Sequence, residues 1–247
     1  MTSSFEPDTL ERIVPDHVPD ADEAGRASLA LHYERYAFAS EHARPGRALD
    51  LACGVGYGTR MLADARSDVT SLTGVDLSPG AVEYASGHYA CERVRYVQSD
   101  GMAFAPEEGA GFDTIVSLET IEHLPEPQAF FDRLCSLLAS GGVLVASVPT
   151  TPSVDLNPHH LHDFTLASFC AMGARNGLEE VARHTQIQRV GFLELLRPDH
   201  RFRRESLRPN LVGYYARHPV ALLGRIATTL RYGLANHYTT IAWTRPA

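Results

Sequence analysis

RALDLACGVGYG, residues 47–58, is the stretch whose reading decides the fold. It opens on Ala48, Leu49, Leu51 and Ala52, the near-continuous apolar run of a short strand buried on both faces of a parallel sheet. It then breaks into Gly54, Gly56 and Gly58, and residues 59–63 resume a helix-compatible run. Strand, glycine turn and helix together bring backbone N–H groups close to a polar ligand, where a Cβ would stand in the way. The spacing Gly54-Val55-Gly56-Tyr57-Gly58 departs from the G-x-G-x-x-G of dinucleotide-binding turns, so this turn alone does not choose the ligand.

The spacing downstream narrows the choice. Residues 69–77 (VTSLTGVDL) predict a second strand ending at Asp76, whose carboxylate can accept hydrogen bonds from both hydroxyls of a ribose. Residues 94–100 (VRYVQSD) predict a third, and 112–118 (FDTIVSL) a fourth. In order, LDLACGVG, GVDLS, QSDGM, FDTIVSLETIEHL and LLASGGVLVASVP resemble the class I S-adenosylmethionine-dependent methyltransferases over residues 47–150. The resemblance implies an α/β, Rossmann-like sheet of seven strands with helices on both faces and an antiparallel last strand. It implies S-adenosyl-L-methionine as cofactor, held by Tyr36, Asp50, Ala52, Gly54, Gly56, Asp76, Leu77, Asp100, Gly101, Met102 and Leu118. One departure is Ala52, where the family has glycine; its methyl is small enough to be tolerated.

Bulk composition agrees with a folded α/β chain. The 247 residues are 44% hydrophobic and 21% charged, ordinary for a globular protein with a substantial core. A net charge of −8 disfavours a broad phosphate-binding surface, and with it a nucleic-acid partner. Four scattered cysteines without a CxxC fit reduced thiols and a cytoplasmic setting. No apolar run approaches the roughly 20 residues of a membrane span, and no basic start with an apolar core marks a signal peptide.

Residues 1–23 read as an irregular, proline- and acid-rich arm, in which Ile13-Val14 should pack across something; residues 24–247 read as the catalytic domain. Residues 24–43 predict a helix lying over the cofactor mouth, where Tyr33, Arg35 and Tyr36 could reach the cofactor carboxylate. Further helices are expected at 79–90 with Ser78 as cap, at 127–138, and from a Thr165 cap to about 176 before Gly177. Strands are expected at 143–148, 180–190 and 238–244, and two short helices at 211–234, broken at His218-Pro219. Residues 197–236, opening on the arginine-rich run RPDHRFRRESLR, read as a lid insertion or partner surface; the reading also allows a homodimer.

Methyl transfer asks the protein to orient two reactants, exclude water and deprotonate the acceptor. The site belongs at the carboxyl ends of the strands, just beyond the fourth. There Glu119, Glu122 and His123 stand at i, i+3 and i+4, one face of a helical turn. Adjacent carboxylates beside an imidazole suit a divalent Mg, Mn, Fe or Zn ion. A second cluster, His159-His160-Leu161-His162, follows the fifth strand. The combination resembles methyltransferases whose ExxEH turn and later histidine hold a metal against acceptor hydroxyls, which implies Glu119, Glu122, His123 and His160 as ligands. His123, His159 and Glu119 are then the catalytic candidates, and without a metal His123 would line the pocket or serve as base. The function expected is O-methylation of a small molecule, a sugar, nucleotide sugar or polyol. The alternatives are RNA 3′-terminal 2′-O-methylation, N- or C-methylation of a natural product, and a non-enzymatic cofactor-binding subunit.

Overall fold

The computed structural model describes residues 13–19, 22–106, 111–189 and 207–246. β1 (Gly46–Leu51), β2 (Val69–Asp76), β3 (Val94–Gln98), β4 (Phe112–Leu118), β5 (Leu138–Pro149), β6 (Glu179–Arg189) and β7 (Ala235–Thr244) form one sheet, in the order β3-β2-β1-β4-β5-β7-β6. The first five strands pair in parallel, and β7 runs antiparallel between β5 and β6. The order reverses between β1 and β4, which opens a crevice at their carboxyl ends.

Alternation along the strands supplies two cores. Ile115 of β4 and Leu144 of β5 face α4 (Pro127–Leu137) and α5 (Leu166–Arg175), where Trp243 packs edge-on against Phe131 and Phe169. Val116 and Val145 face the other way, toward α1 (Glu23–His42), α2 (Tyr57–Ala65) and α3 (Pro79–His88). The expected caps are present: Ser78 Oγ accepts from Ala81 N, Thr165 Oγ1 accepts from Ser168 N, and Gly177 follows α5 at φ +67°. α6 (Leu211–Arg217) and α7 (Pro219–Tyr232) meet at His218, as the proline there predicts.

The largest difference in a boundary is at the fifth strand. The sequence places the fifth strand at 143–148, with Ser140-Gly141-Gly142 ending a helix; instead α4 stops at Leu137 and β5 begins at Leu138. Gly141, at φ +71°, lets the chain pass an irregularity in the β4–β5 register and stay in the sheet. Most of the arginine-rich run, and most of the N-terminal arm, lie outside the described residues.

Candidate active site

The end of β1 is fastened to the end of β2. Ala52 N and Cys53 N both donate to the Val75 carbonyl, at 2.8 and 3.0 Å, and Gly54 N donates to Asp76 Oδ2 at 2.9 Å. Asp76 Oδ1 accepts from Ser78 N at 2.9 Å, so the carboxylate is held by an amide on each oxygen and aimed at the glycine turn. Gly54 (φ +57°) has open space where a Cβ would stand, as a ligand-facing glycine should. Gly56 and Gly58 serve packing instead. A Cβ on Gly56 would meet Ala85 at 2.6 Å, and one on Gly58 would enter the Tyr36 ring at 2.0 Å. Ala52 stands at φ +70°, which explains the glycine expected there: the methyl is carried in a left-handed conformation that costs about 1–2 kcal/mol.

These groups open onto a cavity of about 540 Å³, within the range that encloses small ligands. Of the expected cofactor residues, Tyr36, Ala52, Gly54, Asp76, Leu77, Asp100, Gly101, Met102 and Leu118 line it. Gly56 and Asp50 do not. Asp50 is buried behind the turn, where Oδ2 accepts from Thr59 Oγ1 (2.6 Å) and Tyr36 OH (3.1 Å). Burial raises its pKa to about 6, against the opposing pull of those two hydroxyls. Its role is to fix Tyr36 and the first turn of α2, a correction to the reading that it touches cofactor. The arm contributes as expected: Ile13 and Val18 line the cavity, Val14 is buried, and Asp16 accepts from Tyr84 OH at 2.9 Å.

The acidic–imidazole end is only partly as the sequence implies. The turn after β4 is a 3₁₀ turn, Ile121–His123, and Glu119 stands outside it at φ +50°. Glu119 therefore does not share a face with Glu122 and His123. Its Oε1 accepts from Ser147 Oγ at 2.6 Å and lies 3.9 Å from Arg35 Nε. The cluster that does form is Glu122, His123 and His160, whose ligand atoms all lie within 4.8 Å of one another. His123 Nδ1 faces the carbonyl of His159 at 3.1 Å, leaving Nε2 directed toward Glu122 at 3.8 Å. His160 Nδ1 is 2.6 Å from Ser153 Oγ. Burial, then the neighbouring imidazoles of His123 and His159, lower the His160 pKa to about 3, so its ring is neutral. The ring of His159 is not on the cavity wall; what it brings is its carbonyl. His162 Nε2 meets the Pro125 carbonyl at 3.2 Å and holds the loop. One carboxylate with two imidazoles fits a borderline divalent ion, and Glu119 is absent from that donor set.

Of the three residues named on α1, Tyr33 is not on the cavity wall and the Tyr36 hydroxyl is tied to Asp50, which leaves Arg35. Its side chain is buried on the cavity wall, with the guanidinium 4.5 Å from the centre of the Tyr238 ring. Its Nε has no hydrogen-bond partner among the described residues. His32, at the same wall, is 3.0 Å from Tyr57 OH, and its pKa is lowered to about 3 by burial and then by Arg35. Nothing in the sequence marked His32, Tyr57 or Tyr238, because their neighbours come from distant elements.

Residues 49–146 match the family described as Methyltransferase domain. The chain is 29% identical over 190 residues to a ubiquinone biosynthesis O-methyltransferase of Xanthomonas axonopodis pv. citri, covering 66% of this chain and 77% of that protein. A ubiquinone biosynthesis O-methyltransferase of Psychrobacter cryohalolentis is 34% identical over 105 residues, 41% of this chain and 40% of that one. Among solved structures, the N-methyltransferase NodS from Bradyrhizobium japonicum, in complex with S-adenosyl-L-homocysteine, superposes with a TM-score of 0.60 at 16% identity, covering 92% of this chain and 90% of that one. Magnesium protoporphyrin IX methyltransferase from Synechocystis, with bound S-adenosylmethionine, gives a TM-score of 0.54 at 16% identity, covering 90% and 82%.

Proposed function

We propose that this chain, a class I S-adenosylmethionine-dependent methyltransferase, methylates a hydroxyl of a small molecule carrying two neighbouring hydroxyls, a sugar or similar polyol. The observation that carries this reading is the convergence of Glu122, His123 and His160 on the wall of the cavity that also holds Gly54, Asp76 and Arg35. O-methylation is also the reaction in the names of the Xanthomonas and Psychrobacter relatives.

In the proposed mechanism Asp76 accepts from the ribose hydroxyls, and Arg35 pairs with the carboxylate of the methionyl part. The acceptor oxygen approaches the methyl carbon opposite the sulfur; the C–S bond breaks as the O–C bond forms, leaving S-adenosylhomocysteine and an ether. His123 Nε2 takes the hydroxyl proton, because its Nδ1 is committed to the His159 carbonyl. Glu122 offsets the charge that His123 gains, and neutral His160 orients the second hydroxyl. Were a divalent ion instead held by Glu122, His123 and His160, it would occupy that Nε2 in place of the proton and would supply the activation itself, by lowering the pKa of a hydroxyl beside it.

Turnover of a panel of sugars, polyols and aromatic diols, with and without chelator, tests the reading. His123→Ala should bind S-adenosylmethionine within about threefold of wild type and lose about 10²–10⁴ in turnover. Intact turnover in that variant would remove the role given to His123, and turnover confined to amines would overturn O-methylation.

A further inference from the structure

Of the two helices between β6 and β7, α7 is amphipathic in the opposite sense to a core-facing helix. The face of α7 turned to the body is mostly polar, with Ala221 and Tyr232 beside its polar residues. Arg225 there is held by the Asp155 carboxylate and the Pro152 carbonyl, and Thr228 and Thr229 are half-buried beside it. The face turned outward is apolar. Val220, Leu223 and Leu230 are 81%, 67% and 83% exposed, and Val212 of α6 is 84% exposed. Spaced at i, i+3 and i+10, the three α7 residues make one stripe, about 15 Å long at 1.5 Å per residue. A core-facing helix shows the reverse pattern, so this face is built to meet something other than water.

Charge says what that is. Residues 206–247 contain no Asp or Glu, in a chain whose net charge is −8. Arg217 and Arg231 are exposed near the two ends of the stripe, and Tyr214, Tyr215 and Tyr232 lie along the same helices. A second copy docked about a two-fold axis would set this acid-free face against itself, arginine toward arginine. An anionic bilayer complements it in both respects: acyl chains take the stripe, and lipid phosphates take the flanking arginines. No helix among the described residues is long and apolar enough to cross a membrane, so the contact is peripheral.

We propose that α6 and α7 are a docking face that seats this methyltransferase on an anionic membrane surface. The face is fastened to the cavity rim. Asp155, which receives Arg225 and the Tyr215 hydroxyl (2.7 Å), lies in the loop that gives Ser153, Leu156 and Asn157 to the cavity wall. Docking therefore holds that wall close to the bilayer.

Co-sedimentation of the full chain with vesicles tests this. Binding is expected to mixed phosphatidylglycerol–phosphatidylcholine vesicles, weakening with salt and falling at least tenfold on phosphatidylcholine alone. Arg217→Gln/Arg231→Gln should lower binding to the anionic vesicles about 30-fold, from about 1 kcal/mol per basic residue near such a surface. Val220→Asp/Leu223→Asp/Leu230→Asp should abolish sedimentation while S-adenosylhomocysteine affinity and melting temperature stay as in wild type, since those side chains point away from the body. Wild type that stays in the supernatant, or a triple variant that sediments as wild type does, overturns the proposal. So does a concentration-dependent dimer that the triple variant dissolves, which would assign the stripe to a second copy.

Discussion

Replacing Asp76 by alanine should separate the two tasks that its carboxylate performs. In the fold it accepts from Gly54 N and Ser78 N, each at 2.9 Å. Losing an acceptor opposite a buried amide costs about 1–3 kcal/mol. Water in the cavity can reach Gly54 N, so the sum is set near the lower end, about 2–3 kcal/mol. For a domain of this size that lowers the melting temperature by about 4–12 °C, which leaves the protein folded at 20 °C. In the complex the same oxygens take two ribose hydroxyls, and hydrogen bonds to a charged group contribute about 1.5–3 kcal/mol each. The affinity for S-adenosylhomocysteine should then fall by a factor of about 10²–10⁴. Isothermal titration at 20 °C reads the affinity, and circular dichroism confirms the fold in the same sample. A folded Asp76→Ala protein that binds within threefold of wild type would refute the assignment of Asp76 to the ribose.

Other consequences follow from the same geometry. Gly54→Ala should stay folded, with only the strain of its φ of +57°, yet weaken cofactor binding at least tenfold in titration; Gly58→Ala, with a Cβ inside the Tyr36 ring, should fail to fold by circular dichroism. Ala52→Gly should raise the melting temperature by about 1–4 °C, because relief of about 1–2 kcal/mol of left-handed strain exceeds glycine's added unfolded-state entropy of about 0.4–1 kcal/mol; a lower melting temperature would contradict the strain argument. Asp50 has a raised folded pKa of about 6, so its contribution to stability is full below the unfolded value of 3.8 and is lost as the pH rises to about 6. That loss is about 3 kcal/mol, and Asp50→Asn abolishes it. The melting temperature of Asp50→Asn relative to wild type should therefore climb between pH 4 and 6.5, and a pH-independent difference would show that Asp50 is ionised without penalty.

Much of the sheet was legible because its signals are local. Buried strands announce themselves as apolar runs, and Ser78, Thr165 and Gly177 mark helix ends by chemistry that needs only neighbouring residues. Glu119 failed the same logic. Helical periodicity put it beside Glu122, but the backbone turns left-handed at Glu119 and the following turn is 3₁₀. What holds Glu119 is Ser147 from β5, a partner no local pattern reveals. The sequence offers the His159 ring, whereas its carbonyl is what meets His123. Asp50 shares a strand with the apolar run and gave no sign that it faces Tyr36 and Thr59 rather than the cavity. The sequence offers Arg35 only by its place on α1; what sets it on the cavity wall is Tyr238, which β7 brings from a distant part of the chain.

A crystal soaked in S-adenosylhomocysteine addresses the whole account at once. The ribose should sit on Asp76, the methionyl carboxylate on Arg35, and the sulfur should face Glu122, His123 and His160. Density for that compound anywhere else in the molecule, or a crystal that takes up none at saturating concentration, would contradict it.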